Sequence, residues 1–489
     1  MRAPAPELAL LRFSGEISLK ARGTRRHFVR RLVHNLRDAL GAPGAEPRVE
    51  VSHTRVLAEI PPGVDVAALA RIFGFQSVSP VLARTALRTD AIVSAGLELF
   101  TDAVRGRRFA VRARRVGSRE RIPLRGHEVE CALGAALGAF AAGVDLERPE
   151  TTVHVELTER EAYLLGAPIA GPGGLPLGVE GRAVTLLSGG FDSAVAAWQI
   201  QRRGVALDHV FCNLGGAAHE LGALRVAKLL AERWSYGERP QLHSIDFEPV
   251  VAQLQARTER RLWQVLLKRL MLRAAEAVAR LRGALAIITG EAVGQVSSQT
   301  LQNLTVISQA TGCLLLRPLV GANKDEIIAL AQRIGSFETS KLVGEYCDLV
   351  PRRPATAATL AAIEAEEAHL DADLIACAVE QRTVFDLRGL DLDRLAAPEL
   401  VVDAIPPGAT LLDLRPRDQY QSWHHPDAFH LEFAQALRAY PSFDRAHHYV
   451  LSCDLGLLSA HLAQRMRKEG FEAFQLRGGT RALRRLTEG

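Results

Sequence analysis

The chain has 489 residues, 48% hydrophobic and 24% charged, which is apolar material for about three ordinary domains. No apolar run approaches the ~18 residues that span a bilayer, and Met1-Arg2-Ala3-Pro4-Ala5-Pro6 has no apolar signal core, so a cytoplasmic protein without membrane contact is expected. Net charge is +5, but residues 1–170 hold 25 Arg/Lys against 19 Asp/Glu, leaving 35 against 36 for the remainder, so the positive excess lies at the front. There, Leu8–Ser14 reads as a strand, followed by Gly15-Glu16-Ile17-Ser18-Leu19-Lys20 and an Arg-rich amphipathic helix over His27–Leu40. Glu50–Ile60 reads as a second strand, closed by Pro61-Pro62-Gly63, with a helix around Val66–Phe73. This βαβ-like piece carries no catalytic constellation.

A helix over Asp90–Arg105, a strand Arg108–Arg115, a helix His127–Ala142 and a strand pair, Thr151–Glu156 and Glu161–Leu165, come next. Positions 105, 107, 108, 112, 114, 115, 119, 121 and 125 are arginine, with Glu120 the one acid among them. A solvated surface usually mixes signs, so this run reads as a polyanion-binding face. Period two sets Arg112 and Arg114 on one side of their strand, and Arg115 extends the basic run. No aromatics interleave, which favours backbone and shape readout of a folded RNA over base stacking.

After a Gly171-Pro172-Gly173-Gly174 linker the chain alternates strand and helix: Ala183–Leu187, Ala194–Arg203, Leu207–Phe211, Glu220–Arg233 and Gln241–Asp246. A long helical stretch, 248–282, with an interruption allowed, leads to the strand Ala284–Thr289. The pattern is a doubly wound parallel sheet, whose ligands gather at the carboxyl ends of the strands. At the first such end lies Ser188-Gly189-Gly190-Phe191-Asp192-Ser193. A glycine loop opening a helix aims backbone N–H groups and the helix dipole at one anion, with serine hydroxyls beside them. No lysine follows as in the GxxxxGK[ST] loop; the segment resembles the pyrophosphate loop of the ATP pyrophosphatases, which adenylate a substrate oxygen. A plain strand–helix turn of small residues is the alternative. Another carboxyl end carries Thr289-Gly290-Glu291-Ala292, then Gln295–Leu304 with Gln299 and Asn303, Arg317-Pro318-Leu319 and Lys324-Asp325-Glu326.

The six cysteines show neither CxxC nor metal spacing and read as reduced thiols. Cys131, Cys212, Cys313 and Cys377 read as buried ones. Cys347 sits in the loop Gly344-Glu345-Tyr346-Cys347-Asp348-Leu349-Val350-Pro351. Cys453 ends a strand and opens onto a helix from Ser459, where backbone N–H groups and the dipole would stabilise a thiolate or persulfide.

In order along the chain, these segments resemble the tRNA 4-thiouridine synthetase family. Gly15–Lys20 with Phe28 resembles its ferredoxin-like N-terminal element, and residues 76–168 its THUMP domain. Leu411–Arg415, His425-Pro426-Asp427-Ala428 and Gln475–Gly479 around Cys453 resemble a rhodanese domain. The resemblance implies an α+β and α/β multidomain chain: ferredoxin-like 1–75, THUMP 76–170, ATP pyrophosphatase (PP-loop) 175–370, a linker 371–400 and a rhodanese-like domain 401–489. It implies ATP contacts at Leu187, Ser188, Gly189, Gly190, Asp192, Ser193, Gly290, Gln299 and Lys324. Mg²⁺ would serve as counter-charge, with Asp192 helping to hold its geometry and no dedicated metal cluster. RNA contacts are expected at Lys20, Arg112, Arg114 and Arg115. The implied reaction adenylates uridine 8 of tRNA, and a Cys453 persulfide, loaded by a PLP-dependent cysteine desulfurase, attacks it. Cys347 then releases the sulfur and leaves a disulfide. A second role in thiamine thiazole synthesis and a homodimer stay open. So do two other readings: a small-molecule adenylating ligase, and a non-enzymatic RNA-binding sulfur carrier.

Overall fold

The computed structural model describes residues 8–41, 47–118, 120–341, 343, 354–392, 400–454 and 457–488. They form two compact units, one of Met1–Glu180 with Arg202–Gly204 and Tyr236–Glu238, the other of the rest.

The first unit is built on a single nine-stranded sheet. Its strands are β1 (Leu8–Phe13), β2 (Val49–Val51), β3 (Arg55–Glu59), β4 (Phe75–Ala86), β5 (Arg108–Arg115), β6 (Gly143–Val144), β7 (Thr151–Leu157), β8 (Glu161–Leu165) and β9 (Ile169–Ala170). The order is β2-β3-β1-β4-β8-β7-β5-β6, with β9 on β4. Alternation assigns the faces: Ala9, Leu11, Val56, Ala58, Val111, Val153 and Leu164 join two cores with the helices Arg22–Leu40, Thr89–Val104 and Gly126–Gly138. Leu10, Arg12, Arg55, Arg112, Arg114, His154, Glu156 and Tyr163 fall on the other face.

Three expectations change here. Glu50–Ile60 is a hairpin, because Ser52 donates N–H and hydroxyl to the Arg55 carbonyl and turns the chain. The 12-residue β4 is absent from the sequence reading, although β1 and β8 both pair with it. Finally, β1 lies antiparallel to both β3 and β4, so the N-terminal piece is not a βαβ unit, and β4 carries its sheet into the next domain.

The second unit holds two further sheets. One comprises β10 (Arg182–Leu186), β11 (Ala206–Asn213), β12 (Gln241–Asp246), β13 (Ala286–Ile288), β14 (Leu314–Leu316) and β15 (Thr383–Asp386), ordered β14-β13-β10-β11-β12-β15. All pairs are parallel except β12–β15. Both faces are buried: Val210 and Cys212 enter one core and Phe211 the other. The chain runs from β10 through β11 to β12, then returns to the far side of β10 as β13. The carboxyl end of β10 is therefore a topological switch point. The helical stretch 248–282 is broken into Glu248–Arg257 and Trp263–Arg282. Part of the expected linker belongs to this sheet: Leu374–Glu380 is a helix, and β15 closes the edge beside β12.

The last sheet is fully parallel: β16 (Val401–Val402), β17 (Thr410–Asp413), β18 (Ala428–His430), β19 (His448–Ser452) and β20 (Glu472–Leu476), ordered β16-β20-β19-β17-β18.

Candidate functional site

The loop Leu187–Gly190 leaves β10 at the switch point and enters the helix Phe191–Gln201. Gly189 has φ 82°, and a Cβ there would collide with Val343, so a side chain is excluded twice over. Ser193 Oγ donates to the Gly190 carbonyl (3.0 Å) and accepts from Ser188 N–H (3.2 Å), so these serines brace the loop as well as facing its concavity. Gly290, beyond β13, lets that strand end close on the first turn of the helix Phe191–Gln201: a Cβ would sit 2.7 Å from Asp192 C and Ser193 N.

A cavity of about 240 Å³ opens at this point, lined by Leu187, Ser188, Asp192, Ser193, Gly290 and Gln299 among others. Six expected nucleotide positions thus meet at one place. Lys324 joins through Asp192: its Nζ lies 2.9 Å from both carboxylate oxygens, and Gln295 Nε2 donates to one of them at 2.9 Å. Lys324 also sits 4.4 Å above the Phe191 ring, a cation–π contact that fixes the ammonium. Gln299 accepts from the Ala292 N–H and shapes the wall. Asn303 is a fully buried clamp, donating to the Ser297 and Ala355 carbonyls and accepting from the Ala358 N–H.

The cavity also holds residues the sequence did not single out. Lys268 projects from the helix Trp263–Arg282 onto Glu291 (3.0 Å), which also accepts from Arg317 (2.8 Å) and Thr289 (3.0 Å). Burial pushes the Glu291 carboxyl upward, but Lys268 and Arg317 outweigh it and pull the pKa down to about 2. His219, in the first turns of the helix Gly216–Trp234, lines the same cavity, hydrogen-bonds the Ser188 backbone and packs edge-on to Phe211. Burial lowers its pKa to about 4, so the ring is neutral at physiological pH. Nothing local marks Lys268 or His219; Lys268 reads like any lysine on an amphipathic helix.

In the last sheet, Cys453 follows β19 and is buried, its Sγ 3.3 Å from Ser459 Oγ. A Cβ on Gly479 would overlap the Cys453 carbonyl, so the Gly478-Gly479 turn closes over the cysteine loop. Arg415, held by the fully buried Asp413 (2.6 Å), reaches toward Asp454 at 3.8 Å and adds positive potential beside Cys453. Cys347 lies outside the described residues. Cys131 and Cys377 are exposed and Cys313 half-buried rather than buried, whereas Cys212 is buried and lines the cavity beside the Ser188–Ser193 loop.

In the first unit Arg112 and Arg114 share the face opposite the helices, whereas Arg115, one residue on, falls on the other side of β5. The face carries a charge cluster assembled from distant strands. Glu156, 2% exposed, accepts from Arg12 (2.7 Å) and from Arg55, with Arg114 3.8 Å away. One carboxylate thus anchors three guanidiniums, a net excess of two positive charges. Elsewhere the fold supplies acids that the 105–125 run lacks: Arg108 meets Asp145 and Arg121 meets Glu159. Lys20 is exposed, its Nζ 5.5 Å from the Phe28 ring.

Among the described residues no group of three or more His, Cys, Asp or Glu could hold a metal, and no helix is long and apolar enough to cross a membrane. A Gly-rich anion loop at the switch point of a parallel sheet, in the same unit as a cysteine loop on a second parallel sheet, defines a nucleotide-dependent sulfur-handling protein. Models for the ThiI ferredoxin-like domain (residues 8–79), the THUMP domain (88–165), the thiamine biosynthesis protein ThiI (178–372) and the rhodanese-like domain (397–485) match the chain in that order. It is 37% identical to a tRNA sulfurtransferase of Pyrobaculum aerophilum over 96% of each chain, and 34% identical to one of Shewanella woodyi over 94% of this chain and 97% of that one. A 4-thiouridine synthetase solved in complex with RNA and with ATP bound superposes with TM-score 0.69 at 28% identity, covering 78% of this chain and 99% of that one. The chain belongs to the tRNA sulfurtransferase family.

Proposed function

We propose that this protein transfers persulfide sulfur to uridine 8 of tRNA in an ATP-dependent reaction that yields 4-thiouridine. The observation that carries the reading is the Asp192–Lys324 pair beside the Ser188–Ser193 loop, in one unit with the Cys453 loop. The loop amides cradle the ATP phosphates, and Lys268 and Lys324 offset their charge. Uracil O4 then attacks the α-phosphorus, N3 gives up its proton and pyrophosphate leaves. Asp192 is the carboxylate to which Mg²⁺ would bind, because that ion takes one or two carboxylates plus phosphate oxygens and needs no larger cluster. When bound, it supplies counter-charge to the departing pyrophosphate.

Sulfur comes from the other sheet. The terminal sulfur of a Cys453 persulfide attacks C4 and expels AMP. A Cys347 thiolate attacks Cys453 Sγ, breaking the remaining S–S bond; the electron pair stays on the thiouridine sulfur and a Cys347–Cys453 disulfide remains. A dithiol reductant reopens it, and a PLP-dependent cysteine desulfurase reloads Cys453. The Arg112–Arg114 face, with Arg12 and Arg55, takes the tRNA backbone. The thiamine label on the matching family model supports a second role, sulfur delivery for thiazole synthesis.

Mass spectrometry of bulk tRNA from a strain lacking the gene tests the main reading. The expected result is loss of 4-thiouridine and its return with wild-type protein but not with Cys453→Ala. Unchanged 4-thiouridine in the deletion strain would refute it.

A further inference from the structure

Helix Leu457–Lys468, which starts four residues after Cys453, packs against helix Gly216–Trp234 of the ATP-site sheet. The first of these helices supports the sulfur loop, since its Ser459 hydroxyl meets Cys453 Sγ. The second opens with His219, which lines the nucleotide cavity and bonds the Ser188 backbone. Between the two ends lies a close approach. Gly216 has φ 69°, and a Cβ there would run into the Gln464 carboxamide, 3.2 Å from its Cδ. One turn earlier, His461 lies within electrostatic reach of His219.

We propose that this helix pair is the docking contact through which the sulfur-carrying domain engages the adenylation site, with Gly216 and Gln464 as the pair that sets its register. The inference rests on the sulfur-transfer reading above. Docking here leads from the persulfide helix directly to a residue touching the pyrophosphate loop. The bare Gly216 backbone is the socket that Gln464 reads. Neither residue does chemistry, so disrupting them should separate transfer from the two half-reactions.

Three measurements on the full-length chain decide the matter: persulfide loading of Cys453 by mass spectrometry, tRNA-dependent ATP–pyrophosphate exchange, and single-turnover thiolation. Gln464→Arg, a bulky cation against a positive helix N-terminus, should slow thiolation about tenfold or more while loading and exchange stay within about twofold. Gly216→Ala should also slow thiolation, and adding Gln464→Ala should recover part of the rate, because the methyl then has room while the backbone strain is common to both variants. Wild-type thiolation in Gln464→Arg, or strict additivity in the pair, would overturn the proposal. Amide exchange over residues 216–222 reads docking whether or not tRNA is the substrate. It should accelerate in Gln464→Arg, and unchanged exchange would overturn the contact itself, whereas absence of thiolation in the wild type would count only against the proposed function.

Discussion

Replacing Glu291 by Gln tests whether the carboxylate beneath the cavity proposed for ATP organises its cations. In the folded chain Lys268 and Arg317 hold its pKa at about 2, against an ordinary 4.5. At about 1.4 kcal/mol per unit, that depression corresponds to roughly 3 kcal/mol of stabilisation of the charged form. The group's folded pKa is depressed, so this contribution is fully present above the ordinary carboxylate pKa and is lost as pH falls through about 2. At pH 7 the Gln variant forfeits it and leaves two cations, 29% and 15% exposed, without their counter-charge. The expected cost is about 3 kcal/mol in the unfolding transition of the second unit. Tryptophan fluorescence in urea reports that transition, because Trp198, Trp234 and Trp263 lie there. Lys268, no longer aimed, should also bind ATP more weakly by calorimetry. An unfolding midpoint and an ATP affinity both equal to wild type would refute the reasoning.

Reversing Arg112 and Arg114 to Glu should weaken tRNA binding while sparing ATP binding, and should flatten the plot of log affinity against log salt by about 1.4–1.8, two phosphate contacts' worth. Filter binding across a salt series checks this, and an unchanged slope removes the face from the binding site. Asp192→Ala should lower thiolation at least about a hundredfold, yet leave Cys453 able to accept sulfur; lost loading would show that the two sheets do not divide the labour. Acid should weaken the second unit. His209, fully buried with neither ring nitrogen bonded among the described residues, has its pKa pushed by burial to about 4 against an ordinary 6.5, beside Asp208 and His243. Protonation then favours the unfolded chain, so stability falls as pH drops from 6.5 toward 4. His209's share of the loss between pH 7 and 5 is about 2 kcal/mol, which His209→Leu should remove from urea titrations while His219 and His243 keep theirs; an identical pH dependence in that variant would contradict the assignment.

Local chemistry made part of this readable in advance. The Ser188–Ser193 loop is legible because its glycine requirement, serine bracing and helix entry all lie within six residues. The strands of the second unit are legible because both faces are buried and the sequence runs apolar. What stayed hidden depends on partners far along the chain. β4 looks polar because Ser77 and Ser79 turn toward Arg12, and Pro80 argues against a strand although its carbonyl takes the Gly166 N–H. The 371–400 stretch reads as connector because its strand is four residues long and mostly exposed, an edge that only β12 explains. Charge alone groups Arg115 with its neighbours, and the pleat separates it from them.

The same arrangement recurs at the two sites expected to meet phosphate and at the sulfur site. Glu156 gathers Arg12 and Arg55, Glu291 gathers Lys268 and Arg317, Asp192 holds Lys324, and Asp413 holds Arg415. Cations intended for an anionic ligand repel one another before it arrives, and their long side chains lose entropy when ordered. A carboxylate placed behind them offsets both costs, provided it is itself enclosed, as Glu156, Glu291 and Asp413 are. Asp192 differs, being partly exposed and bonded on both oxygens to groups that can let go. It is therefore the one carboxylate of the four able to exchange partners during turnover. In the proposed reaction Lys324 would turn to the nucleotide and leave Asp192 free to take a counter-ion, whereas the enclosed three hold their cations still.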